Sequence, residues 1–459
     1  MAKHTVVLLG AVVALLALLA SPALAHNTNS TTNIYNTNIN INLSGAFKSV
    51  FAFGGSGTDN GNARLTGQLQ NFVGGWKNIV EGHLAAGLGT GSSTGSDGGG
   101  EGASWTVPGS AGGASGLVSA STSEGGISGS ASAGGDASGT VSGSASSGGG
   151  TPGNGLCNGG LVIDYLCDAL GISPVPPYQN HTADFSDGAN FALSGSTALP
   201  ESFFNHKNIL PLMLKNVPKR IDQQLQWFNN FIQKAKNGGG SGTKPDMANS
   251  LFWIGGVGAQ DFARIHNVPN LSSSWLSKNN IEQVANLIQG LVKQGAKYMV
   301  IQGLPPVGCL PLHLLLSPIT ERDQNGCAAK VNKVVMNHNE LLQRRLGQLQ
   351  KKFPQCVFVY ADFWKAYMKV LSGYHQFGFA EPFKACCGSR NGVFNFNLRH
   401  LCGSPKTFVC QDASKHMVWD GVHFTAAMHH AIAKMFIHGG CTHPSIEQLV
   451  EMKMGKIRR

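Results

Sequence analysis

The sequence predicts an α/β protein with a parallel central sheet covered by helices on both faces. Three observations predict it: short apolar runs that stop at glycine, apolar stripes at helical spacing, and regular alternation between the two. The run "FKSVFAF" ends at Gly54, as a buried strand does, and Leu65 to Ala86 is mildly helical. "LCNGGLVIDYLCDALG" reads as a helix with apolar Leu161, Ile163, Tyr165, Leu166 and Leu170. A short strand precedes Gly195 in "NFALSGSTAL", and Ile221, Leu225, Phe228 and Ile232 line one helical face. "SLFWIGGVG" is a buried strand, followed by a helix with Ile281, Val284, Ile288 and Leu291 on one side. "KYMVIQGLPPVG" is a strand broken by Pro305 and Pro306. A long helix from Val331 to Leu349 then leads to the strand "CVFVYADF". In such sheets ligands bind at the carboxyl ends of the strands.

The chain has 459 residues, enough for a sizeable core. Its first 25 residues read as a cleavable secretory signal: Lys3 and His4, an apolar stretch from Thr5 to Ala20, then "SPALA". No later run is long and apolar enough for an integral membrane span, so the mature chain is expected to be secreted. Residues 26–45 form an Asn/Thr-rich tail, 46–445 the folded domain and 446–459 a basic C-terminal tail. Within the domain, 87–155 is rich in Gly and Ser and lacks Lys and Arg. It cannot bury enough apolar area to offset its ordering entropy and is expected to be a disordered insertion. It contains "GSSTG", a match to a GxSxG nucleophile elbow that lacks the flanking strand and helix and is rejected.

The ten cysteines are even in number and form no CxxC pair, which favours disulfides in an oxidising compartment. Sequons at Asn29, Asn42, Asn180 and Asn270 are candidate glycan acceptors. The net charge is +10, but the basic residues are scattered except in the terminal "KMGKIRR". That pattern argues against nucleic acid and fits weak association with acidic polysaccharide or a lipid surface. No P-loop or HExxH motif is present, so no cofactor or metal is expected.

Several polar residues fall where the predicted sheet would gather them. Ser56 follows the first strand, Gly195 a short strand, Gln260 the "LFWIGG" strand, and Asp420 and His423 lie near the end in "WDGVHFT". An Asp three residues before a His can accept from Nδ1 and leave Nε2 free to take a proton from a serine. Taken singly, each has an ordinary structural reading: Ser56 as a turn residue, Gly195 as a packing glycine, Asp420–Gly421 as a turn. Order and placement together carry the inference.

These segments resemble the plant GDSL esterase/lipase family of the SGNH hydrolases. "FGGSGTDNGN" is similar to the opening "FGDSxxDxGN" block, "GANFALSGSTAL" to the second and "LFWIGGVGAQDF" to the third. "WDGVHFTAA" is similar to the closing block, and "GLPPVGCLP", "NGCAAKVN" and "ACCG" to connecting segments. The resemblance spans Phe47 to His443 apart from the insertion. It implies a three-layer α/β/α, flavodoxin-like fold. It also implies a triad of Ser56, His423 and Asp420, and an oxyanion hole from Ser56, Gly195 and Gln260. The activity implied is ester hydrolysis through an acyl-enzyme, on acyl or acetyl esters of lipids, surface-lipid precursors or wall polysaccharides. Disulfides by the same resemblance include Cys309 with Cys327, and bridges among Cys386, Cys387, Cys402 and Cys410.

The pattern departs from the family in three places. Gly55 and Gly57 replace the Asp and Leu around the nucleophile and are expected to loosen its backbone. Gln260 replaces Asn, keeping the amide but lengthening its arm by one methylene. An aromatic segment between the first two blocks is replaced by the Gly/Ser insertion. These departures favour, as an alternative reading, a catalytically impaired lipid- or wall-binding protein; the resemblance also implies an acyltransferase as a further alternative.

Overall fold

The computed structural model describes residues 43–66, 156–200, 203, 220–237, 245–265, 272–390 and 392–457. The signal sequence, the Gly/Ser insertion, most of the Leu65–Ala86 segment and the sequons at Asn29, Asn42 and Asn270 lie outside these residues.

In chain order the principal elements begin with β1 (Ser49–Gly54), α1 (Asn62–Leu65), α2 (Val162–Ala169), β2 (Gly188–Asn190) and α3 (Ile221–Lys236). There follow β3 (Ser250–Gly255), α4 (Ala259–Ile265), α5 (Ser273–Lys293), β4 (Tyr298–Gln302), α6 (Pro311–Leu316), α7 (Ala329–Lys352) and β5 (Val357–Ala361). The C-terminal part comprises α8 (Phe363–Ser372), β6 (Glu381–Ala385), β7 (Cys387–Gly388), β8 (Phe408–Val409), β9 (His416–Val418), α9 (Ala426–Ile437), β10 (Thr442–His443) and α10 (Ile446–Lys453).

The sheet order is β10-β5-β4-β3-β1-β2, parallel except for the antiparallel edge strand β10. Without that edge it is the flavodoxin-like order 2-1-3-4-5, whose direction of winding reverses between β1 and β3. Alternating side chains along each strand explain the three layers. Val50 and Ala52, Leu251 and Trp253, and Val300 and Val359 pack against α2, α8 and α9. Phe51 and Phe53, Phe252 and Ile254, and Met299 and Ile301 face α3, α5 and α7. On that second face Phe228 of α3 is fully buried, edge-on to Phe51, Phe53, Phe191 and Phe252 with ring centroids 5.5–5.9 Å apart. Burying one such ring stabilises by about 1.5–3 kcal/mol.

Local signals set several helix starts. Ser272, Asp362 and Thr425 accept from the N–H groups of Trp275, Lys365 and Met428. The apolar stripes expected on α3 and α5 face inward: Ile221, Phe228, Ile232, Ile281, Val284, Ile288 and Leu291 are buried, and Leu225 is partly buried against the same cluster.

Two expectations at the chain ends need correction. Leu43, placed in the Asn/Thr tail, is buried in the core. The segment 446–459, expected to be a basic tail, opens with α10, whose Ser445 and Gln448 form a capping box. Ile446, Leu449 and Val450 are buried, a helical i, i+3, i+4 spacing that outweighs the basic residues beyond it.

Candidate active site

Ser56 stands in a turn just past β1, at the point where the winding reverses. The Gly55 carbonyl accepts from the N–H groups of Thr58 and Asp59, both at 3.0 Å. Gly54 must be glycine: its φ is 143°, and a Cβ there would lie 2.2 Å from the Gly255 carbonyl oxygen. Gly55 and Gly57 are different. Neither has a left-handed φ, and a Cβ on Gly57 would meet nothing within 4 Å. The hydrogen bonds around the turn, rather than the side chains flanking Ser56, hold its course.

His423 Nε2 is 3.1 Å from Ser56 Oγ, across 367 positions of sequence. Its Nδ1 is 2.6 Å from Asp420 Oδ2. The other carboxylate oxygen, Oδ1, accepts from the backbone N–H of Val422 at 3.0 Å and of His423 at 2.8 Å, so Asp420 closes the turn that aims the imidazole. Burial pushes the Asp420 carboxyl up, but the adjacent His423 and the two N–H donors outweigh it and hold it below its ordinary value. An ionised Asp420 keeps the proton on Nδ1, which leaves Nε2 as the acceptor for the serine hydroxyl.

Behind this turn the chain is stapled. Cys386 is bonded to Cys410 and Cys387 to Cys402. The N–H groups of Cys386 and Cys387 donate to the carbonyls of Val418 and Trp419, at 3.0 and 2.6 Å, directly before Asp420. A third bridge joins Cys309 to Cys327. Cys386 and Cys410 lie near His416, but their sulfurs are spent in the disulfide, so this grouping has no thiolate for a metal.

Gly195 follows β2 in a loop. Its φ of +77° is the left-handed region that favours glycine, which turns the backbone between Ser194 and Ser196. Gln260 is buried in the first turn of α4, just past β3. The loops carrying Ser56, Gly195 and Gln260 thus emerge from the carboxyl ends of three neighbouring strands.

Two buried carboxylates that sequence reasoning did not assign tie these loops together. Asp59 accepts from the N–H groups of Gly61, Asn62 and Ala63 on its own loop. It also accepts from the N–H and hydroxyl of Ser194, both at 2.7 Å, beside Gly195. Burial pushes its carboxyl up, against the pull of those donors. Asp261 accepts from Ala198 and Leu199 N–H at 2.8 and 2.9 Å, joining the Gln260 helix to the same loop. Asn62 adds bonds to the carbonyls of Asn190 and Ala192, and Asn190 bonds the Thr58 carbonyl. The available signal was an Asp or Asn inside each glycine-rich block, where acceptors for loop N–H groups are needed.

The remaining candidate site is Asn180, in a half-buried turn in which its side-chain oxygen accepts from the Thr182 hydroxyl at 2.9 Å. Among the described residues no helix is long and apolar enough to cross a membrane.

A family model for GDSL-like lipase/acylhydrolase matches residues 50–436. A GDSL esterase/lipase of Arabidopsis thaliana is 35% identical over 311 residues, covering 66% of this chain and 79% of the relative. Acetylajmalan esterase 2 of Rauvolfia serpentina is 31% identical over 296 residues, covering 63% and 79%. A second Arabidopsis thaliana GDSL esterase/lipase is 31% identical over 314 residues, covering 63% and 81%. With a flavodoxin-like sheet and a match across most of its length, the chain belongs to the GDSL lipase/acylhydrolase family and is a carboxylic ester hydrolase.

Proposed function

We propose that the protein is a secreted serine esterase in which Ser56 is the nucleophile, His423 the general base and Asp420 its orienting partner. The observation that carries this is the continuous Ser56–His423–Asp420 relay at 3.1 and 2.6 Å. In the acylation step Ser56 Oγ attacks the ester carbonyl carbon while His423 Nε2 takes the hydroxyl proton. The carbonyl π electrons move onto oxygen. The N–H groups of Ser56 and Gly195 and the Gln260 amide receive that charge, a contribution worth about 3–4 kcal/mol per donor in comparable sites. Collapse expels the alcohol, which leaves with the proton from His423. Water then repeats the sequence on the acyl-enzyme and releases the acid.

The substrate is an acyl or acetyl ester, and the acetyl group named in the Rauvolfia relative favours a short acid. Secretion rests on the N-terminal signal pattern and on the three disulfides, which persist in oxidising compartments. Asn180 is proposed as a glycan acceptor on the same ground.

The test is labelling of the mature protein with a fluorophosphonate beside Ser56→Ala. The expected result is labelling of the wild type that disappears in the variant. A well-folded wild type that does not react would overturn the assignment of Ser56 and favour a binding role.

A further inference from the structure

Helix α3 turns a mostly apolar face to the sheet, yet one position on that face is polar. Gln224 is completely buried, among Ile221, Trp227 and Phe228. Every polar atom of its amide is engaged. Oε1 accepts from the Gly54 N–H at 2.9 Å, and Nε2 donates to the Gly54 carbonyl at 2.8 Å. Nε2 also donates to Ser196 Oγ at 3.2 Å. The Gly54 carbonyl accepts in addition from Leu193 N–H at 3.0 Å.

The amide therefore pairs with both backbone groups of the last residue of β1, as a neighbouring strand would. From there it reaches across to the residue after Gly195. Gly54 is two residues before Ser56, so one rigid side chain spans the two loops proposed to supply the nucleophile and the backbone donors of the oxyanion hole. Satisfying the end of β1 alone would need only the two bonds to Gly54. The bond to Ser196 is the additional one, and it joins separate loops.

We propose that Gln224 is a positioning residue that sets the spacing between the Ser56 loop and the Gly195 loop, and hence the geometry of the oxyanion hole. The inference rests on the assignment of Ser56 as nucleophile. Its physical basis is the tolerance of such sites: donors must be held to within about 0.5 Å of the productive position. They act only if they are already aimed where charge develops. A buried amide bonded on all sides has no alternative rotamer that keeps its partners satisfied.

The test is hydrolysis of p-nitrophenyl acetate by wild type, Gln224→Met, Ser196→Ala and the double variant, each normalised to active sites titrated with fluorophosphonate. Methionine keeps the length and loses the amide. The expected result for Gln224→Met is a fall in kcat of about 10- to 100-fold with KM within about threefold. The pH at half-maximal kcat should not move, because His423 and Asp420 are untouched. Ser196→Ala should show a smaller fall in kcat at an unchanged melting temperature, and the double variant should be no worse than Gln224→Met. A lowered melting temperature with wild-type kcat per titrated site in Gln224→Met would overturn the inference, since Gln224 would then only complete β1. If Gln224→Met does not fold, Ser196→Ala decides: wild-type kcat there overturns the bridging role. Failure of the wild type itself to react would instead overturn the assignment of Ser56, and this inference with it.

Discussion

The two halves of the candidate site are held by different physics. The Ser56–Gly195–Gln260 side is assembled from loops after β1, β2 and β3, tied by the buried carboxylates Asp59 and Asp261 and their N–H donors. The Asp420–His423 side is one short turn, backed by the Cys386–Cys410 and Cys387–Cys402 disulfides. The first relies on polar groups that are costly to leave unpaired in the interior, and the second on covalent limits to chain freedom. Each half also packs a buried imidazole behind it. His338 of α7 lies edge-on to Phe262 of α4 at 5.2 Å, and His429 of α9 lies against Phe424 at 6.0 Å. Precision in a site thus does not prescribe its means, but the means prescribes which conditions break it.

The sharpest break on the first side is Asp59→Ala, which strands the N–H groups of Gly61, Asn62, Ala63 and Ser194. The expected loss is about 3–5 kcal/mol in urea denaturation, with no sensitivity to reductant. A loss below 1 kcal/mol would show that water replaces the carboxylate and that the network is not what holds the loops.

On the second side, Cys387→Ser with Cys402→Ser should lower stability by about 2–5 kcal/mol. Esterase activity should fall at denaturant concentrations where the sheet, followed by far-UV circular dichroism, is still intact. Coincident loss of both signals would mean that the stapled loop and the core unfold as one unit.

Acid tests both halves together. Burial holds the His338 imidazole down at about 4, and burial with the nearby His423 holds His429 down at about 3. The unfolded chain takes up these protons near pH 6.5, so the stability is complete above that value and falls as pH drops below it. Between pH 6.5 and 5 each histidine should remove about 1.6 kcal/mol. Asp164 opposes this: burial pushes its carboxyl up to about 6, so the folded chain gains a proton first as pH falls. Its contribution over the same window is about 1 kcal/mol, leaving a net loss of about 2 kcal/mol from these three groups, and the buried Asp59 carboxyl, also pushed up, opposes the histidines in the same sense. Urea midpoints at the two pH values measure this, and His338→Gln should flatten the dependence. An unchanged pH dependence in His338→Gln would mean that this imidazole is not buried neutral.

The smallest expected effect concerns the glycines beside Ser56. Gly57→Ala should raise stability by about 0.4–1 kcal/mol without loss of activity, because the backbone there is compatible with a side chain and space is open. A fall in activity would show that the turn must flex at Gly57 during the reaction.

Much of this arrangement was legible before the fold. Short apolar runs located β1, β3, β4 and β5, the first three of them ending at glycine, and the stripes on α3 and α5 pointed inward as their spacing requires. Ser56, Asp420 and His423 stood out because they occupy ordered blocks at strand ends. Asp59 and Asp261 sat inside the same blocks, yet the partners through which they join separate loops lie 62 to 135 positions away, as with Leu199 and Ser194, and no local pattern reports that. Gln224 had a visible signal, a polar residue on an apolar stripe, but its meaning depends on Gly54 and Ser196. The pairing of adjacent Cys386 and Cys387 was open in spacing alone, since either can reach Cys402 or Cys410 along the chain. The C-terminal helix was hidden by its basic end although its apolar spacing was in plain view.

Local chemistry along the chain was sufficient for most element types, the two-faced strands and the choice of candidate reactive groups. These depend on side-chain periodicity and on residues one to four positions apart, as in the Asp420–His423 turn. The meeting of His423 with Ser56 across 367 positions, the choice of disulfide partners and the network around Asp59 were decided only by the tertiary structure. Such contacts require the ordering of long intervening loops, and the energy that offsets this ordering comes from the whole core, not from any one segment.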